Sequence, residues 1–142
     1  MDYENLKIVG SKKFKDQTTK ALNLIKKNSK RDFNKINKYL KKIRFAKRSC
    51  LILEKAQFDV GAKTAYHSLE WYASTIIHDT HHYYLHAIKK FPWKKENITG
   101  HEKLCIKEQV RFLKKIKAQK KMIDYTKNSP KSKYWLNKKE VW

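Results

Sequence analysis

The chain reads as α+β. Three observations carry that expectation. Apolar residues recur at helical steps in the first and last thirds. Residues 44–66 hold short β-branched and aromatic runs broken by Gly61. Good helix caps stand at the joins, at Ser29, Ser68 and Thr99. The 142 residues fit one domain. Hydrophobic residues at 40% and aromatics at 13% are enough for a packed core, which excludes a wholly disordered basic tail.

Taken in order, residues 1–17 are polar and without clear period, so they are set apart as an N-terminal segment. Residues 18–128 are assigned to a single domain and 129–142 to a tail. A helix is expected from Thr18, with Ala21, Leu22, Leu24 and Ile25 along one side and Lys26, Lys27 and Asn28 at its end. Ser29 is placed to cap a second helix, with Asp32 in its first turn. Phe33, Ile36, Tyr39, Leu40 and Ile43 then recur as one helical face. Residues 50–53, 57–60 and 64–66 are expected as short strands. Ser68 reads as an N-cap, followed by a helix from Leu69 to about Ile88, with Pro92 just beyond it. After a loop over 90–98, Thr99 and Glu102 fit a capping box. The helix they open carries Leu104, Cys105, Val110, Phe112, Leu113 and Ile116. One more helical turn is expected near Met122, Ile123 and Tyr125. Beyond Pro130 the tail holds Tyr134, Trp135, Leu136 and Trp142.

The formal charge is +22, and all but four of the 35 basic residues (Arg31, Arg44, Arg48 and Arg111) are Lys. Nucleic-acid surfaces usually draw on Arg for its bidentate fork, and here Lys is scattered along the whole chain. Non-specific, salt-sensitive contact with nucleic acid is expected of such a surface whatever its origin. No apolar window is long enough to span a bilayer, and the N-terminus lacks an apolar signal region. Two cysteines, Cys50 and Cys105, make no disulfide framework, so a reduced, cytoplasmic setting is expected.

Chemistry concentrates in His78-Asp79-Thr80-His81-His82. His78 and His82 lie one helical turn apart on one face, a spacing that lets both reach one zinc ion. Asp79 occupies the place where H-E-x-x-H carries its general base. A catalytic zinc needs a third protein ligand. Glu102, at the start of the next helix, is the first candidate, and His86 and His101 are the alternatives. His86 ranks lower, since three ligands in line on one straight helix cannot surround a metal. His81 is rotated away towards a neighbouring element or solvent. Cys105, one turn after Glu102, could approach a metal, but a small buried core residue is the preferred reading.

Glu70-Trp71-Tyr72-Ala73-Ser74, leading into His78-Asp79-x-x-His82, then Thr99-Gly100-x-Glu102 and Cys105-Ile106, resembles a group of small bacterial zincin-like proteins, similar to minimal gluzincins, over residues 18–126. The resemblance implies N-terminal helices, a short mixed sheet, a metal-binding helix and a helix bearing a glutamate ligand. It implies a zinc metallopeptidase with His78, His82 and Glu102 as ligands and Asp79 as base to a zinc-activated water. Its substrate would be a peptide or protein, paired with an edge strand near 57–66. One departure is that Asp79 is a methylene shorter than the usual Glu, so an inactive zincin-fold protein is an alternative. Others are a basic nucleic-acid-binding protein and a His-Asp metal-dependent phosphohydrolase, for which His67 and Asp124 would be the further ligands.

Overall fold

The computed structural model of this chain describes residues 1–132. It is mixed α+β: a five-stranded sheet is combined with six helices among the described residues. Strands β1 (Asp2–Tyr3) and β2 (Leu6–Val9) lead into α1 (Lys12–Asn28) and α2 (Lys30–Tyr39). Then come β3 (Lys42–Phe45), β4 (Cys50–Ile52) and β5 (Gln57–Val60). Helices α3 (Ala62–His67), α4 (Leu69–Tyr83), α5 (Ile98–Lys115) and α6 (Lys120–Ser132) complete the order.

The N-terminal segment is part of the domain, not a polar lead-in. β2 pairs in parallel with β3, and Leu6 and Ile8 are fully buried. Their period of two is too short a run to stand out in the sequence, but it is enough to bury one face of a strand. Helix α1 starts six residues earlier than Thr18, because the Ser11 hydroxyl accepts the Phe14 N–H. Thr18 lies inside that helix, hydrogen-bonded to the Tyr72 hydroxyl at 2.7 Å. Ser29 caps α2 as expected: its hydroxyl accepts the Asp32 N–H and donates to the Asp32 carboxylate.

Two further corrections come from strand pairing. Ile43 belongs to β3, between Ile8 and Phe58 in register, and not to the α2 face. Residues 64–66 are helical, in α3, so Gly61 ends the strand region instead of interrupting it. The strand order is β1-β2-β3-β5-β4. β5 is therefore interior, parallel to β3 and antiparallel to β4, and all four of its residues are buried. The expected edge near 57–66 is corrected to β4 at 50–52. Asp59 is tolerated inside because Arg44, its cross-strand neighbour, donates to both carboxylate oxygens at 3.1 and 2.7 Å.

α4 is the central helix, packed against α1, α2, α3 and α5. Tyr72, Ile76, Phe14, Leu22, Ile25 and Phe112 close the core between it and its neighbours. Ser68 caps it by accepting the Trp71 N–H. Its last turn opens into a π-turn over Tyr84–Ile88. α6 is a full helix where a single turn was expected. The tail residues Tyr134, Trp135, Leu136 and Trp142 lie outside the described residues. No helix among the described residues is long and apolar enough to cross a membrane.

Candidate metal centre

α5 begins at Ile98, so Thr99 falls in its first turn and makes no cap hydrogen bond. The capping box expected from Thr99 and Glu102 does not form. The Glu102 carboxylate turns across to α4 instead. Its Oε2 lies 3.0 Å from His78 Nε2 and its Oε1 lies 2.8 Å from His82 Nε2. All three side chains are buried. The two imidazoles bracket one carboxylate because α4 presents positions 78 and 82 on one face and α5 packs along that face.

Each imidazole is braced from behind. His78 Nδ1 meets Gln109 Oε1 at 2.8 Å, and Gln109 Nε2 donates to the Ser74 hydroxyl at 3.0 Å. That hydroxyl donates to the Trp71 carbonyl at 2.7 Å. His82 Nδ1 meets His101 Nδ1 at 3.1 Å, and the two rings stack with an interplanar angle of 10°. His101 Nε2 lies 2.6 Å from the Phe91 carbonyl. Gly100 leaves room for Phe91, since a Cβ there would meet its ring at 3.2 Å. The Trp93 ring stands edge-on to His82 with centroids 4.9 Å apart.

A carbonyl only accepts, so His101 Nε2 carries its hydrogen and donates to Phe91. Burial lowers the pKa of His101. Burial, together with the charge of His78, takes His82 down to about 4, against the pull of Glu102. Burial also opposes a charge on His78, but Glu102 overrides it and raises His78 to about 8. Burial lifts the Glu102 carboxyl, and the two imidazoles more than reverse this, holding it well below the usual carboxylate range.

Cys105 lies one turn beyond Glu102 on α5 and is fully buried. Its sulfur and one nitrogen each of His78 and His82 all lie within 4.8 Å of one another, so these three residues can hold a metal ion. The sequence placed Cys105 in the core, and the structure puts it beside the histidines as well. Burial raises its thiol well above the ordinary value. A donor set of two imidazoles and a thiol suits a transition metal better than a hard cation.

Asp79 is partly exposed and makes no hydrogen bond or ion pair among the described residues. Loss of hydration pushes its carboxyl up to about 7, against the His78 imidazole. Its charge helps to raise the Cys50 thiol on edge strand β4, although burial does more. The remaining histidines have other uses. His86 Nδ1 accepts the Trp93 N–H at 2.8 Å, which ties down the loop after the π-turn. His81 turns to α2, where it meets Lys35. His67 packs edge-on to Trp71 and Asp124 lies on α6, and neither joins the cluster.

No family model, no curated protein and no solved structure matches this chain.

Gln109, Ser74 and Phe91 were not singled out from the sequence. The spacing of Glu102, Cys105 and Gln109 at i, i+3 and i+7 was the available signal, since it puts all three on one face of α5.

Proposed function

We propose that this protein is a zinc-dependent hydrolase of peptide bonds on a zincin-like scaffold. His78 Nε2, His82 Nε2 and Glu102 would hold the metal, and Asp79 would be the general base. The observation that carries the proposal is the buried Glu102 carboxylate bracketed by His78 Nε2 at 3.0 Å and His82 Nε2 at 2.8 Å. His101 and Gln109 support it, because they commit each ring's Nδ1 and leave both Nε2 atoms aimed at one point. Zinc bound there would supply a Lewis acid that polarises a carbonyl and makes water a better nucleophile.

The chain's own groups supply the rest. Edge strand β4 offers an unpaired backbone edge, where an extended peptide can add as a further strand. Asp79 accepts a proton from the attacking water and passes it to the leaving amine. Trp93 and Phe91 wall the His82 side and limit access of bulk water.

Cys105 favours a second reading. If its thiol joins His78, His82 and Glu102, four protein ligands close the coordination sphere and the site is structural. The deciding experiment is metal content with and without His78→Ala/His82→Ala, followed by peptide cleavage with the wild type, Asp79→Asn and Cys105→Ala. About one zinc per chain, lost in the double variant, with cleavage abolished by Asp79→Asn, supports the hydrolase. Bound zinc without cleavage in either the wild type or Cys105→Ala supports the structural site. Absence of zinc after reconstitution overturns both.

A further inference from the structure

α4 has a second polar face, which the metal site does not use. His81 points away from the His78–His82 line towards α2, and a cavity of about 310 Å³ opens between them. Its wall takes Arg31, Lys35 and Lys38 from α2, His81 and Tyr84 from α4 and the turn after it, and Glu108 from α5. The spacing 31, 35, 38 puts three cations on one stripe of α2.

The charges in this cavity do not balance. Glu108 is its one carboxylate, and it is already engaged by Arg31 at 3.0 Å and by Arg111 at 2.7 Å. Lys35 and Lys38 make no ion pair among the described residues. Lys38 is exposed and bears little cost for that, as with most lysines of this chain. Lys35 is different, because it is partly buried. Its ammonium meets His81 Nδ1 and lies 4.4 Å over the Tyr84 ring, and neither partner is an anion. Loss of hydration lowers its pKa. Glu108 and Asp32 offset part of that loss, but both are held by arginines, and a partly buried ammonium without an ion pair of its own is costly unless a ligand supplies one.

The other donors line the same cavity. Because Lys35 donates to His81 Nδ1, the His81 ring presents its Nε2–H. The Tyr39 and Tyr84 rings, 5.7 Å apart and tilted by 47°, form an apolar side wall. Several N–H donors lining one cavity, with surplus positive charge, match an anion with several oxygens. We propose that this cavity binds a phosphate group, with Lys35 as its inner cation and Arg31 and Lys38 at its mouth. The proposal does not depend on the metal centre.

Isothermal titration of the full chain with inorganic phosphate, at fixed ionic strength, tests it. Lys35→Met and Lys38→Met are compared with Lys63→Met, a control on α3 outside the cavity. The expected result is one saturable site in the wild type and the control, about ten-fold or more weaker in Lys35→Met and less weakened in Lys38→Met. A second arm compares a dinucleotide with and without a 5′-phosphate, and the phosphorylated form is expected to bind more tightly. If Lys35→Met fails to fold, the exposed Lys38→Met decides. Binding that does not saturate, that is equal in the Lys63→Met and cavity variants, or that ignores the 5′-phosphate overturns the proposal.

Discussion

His82 is the residue on which the site's chemistry turns. Its ring is fixed from behind by His101, which is itself fixed by the Phe91 carbonyl. That arrangement leaves Nε2 facing Glu102, where a metal would bind. Replacing His101 with Leu removes that partner and frees the His82 ring to flip or change tautomer. Zinc affinity is then expected to fall roughly 10–100-fold, measured by competition with a chromophoric chelator, while the helical circular dichroism stays unchanged. A loss confined to stability, with affinity intact, would contradict the bracing role. Cobalt substitution examines Cys105 in the same way. A thiolate-to-cobalt charge-transfer band that vanishes in Cys105→Ala is expected if sulfur coordinates, and its absence from wild type leaves only the histidines and Glu102. His78 and His82 were legible in the sequence because their four-residue spacing is itself the geometry. Glu102 was legible only by half. Local pattern matched it to a cap, and only the packing of α5 on α4 turned its carboxylate towards the imidazoles.

At the scale of elements, α4 joins the two candidate sites of the chain. One side holds the proposed metal ligands and the other meets α2 and the basic cavity. The π-turn at its end shifts the register before the loop that carries Phe91 and Trp93 to the site. Such turns often mark functional sites, because the extra residue re-aims the chain beyond it. Ser29 is the hinge between α1 and α2, and its hydroxyl both accepts from Asp32 N–H and bonds the Asp32 carboxylate. Asp32 in turn holds Arg111 of α5 at 2.6 Å. Ser29→Ala is expected to cost about 1 kcal/mol, read as a lower urea midpoint at unchanged slope. A shift indistinguishable from zero would mean that the cap is replaced by water without cost. β3 was missed from sequence because Lys-Ile-Arg-Phe has too few residues to declare a period. Its identity as a strand comes from being sandwiched in parallel between β2 and β5.

Across the whole molecule, carboxylates held by arginines set the response to acid. Burial alone would raise Asp59 and Glu108. Arg44 and Gln57 reverse this for Asp59, and Arg111 does so for Glu108, so both carboxyls titrate below their ordinary values. Groups depressed in the folded state add stability above the unfolded carboxyl pKa, and that stability is lost as pH falls through the folded value. Thermal stability is therefore expected to fall as pH drops from about 5 towards 2. Arg44→Met should destabilise at neutral pH and lose most of that effect at the acid end. An Arg44→Met deficit that is constant with pH would assign it to packing. Zinc works in the opposite direction. At roughly one hundred times its dissociation constant it should add about 2.7 kcal/mol of stability, reversed by a chelator and absent in His78→Ala/His82→Ala.

The sequence by itself determined what is local and periodic: the α+β class, the Ser29 and Ser68 caps, the central helix and the histidine pair on one of its faces. It determined the surplus of positive charge as well, but not where a cation would matter. Tertiary structure alone decided which strand is the edge, since strand order depends on pairings between residues far apart in the chain. It also decided that Leu6 and Ile8 belong to the core, that Cys105 stands beside the histidines, and that Lys35 is partly buried without an ion pair among the described residues. The physical reason is the same in each case. A side chain's partner is set by the surface packed against it, and helix faces 24 or 46 residues apart meet only after the chain has folded.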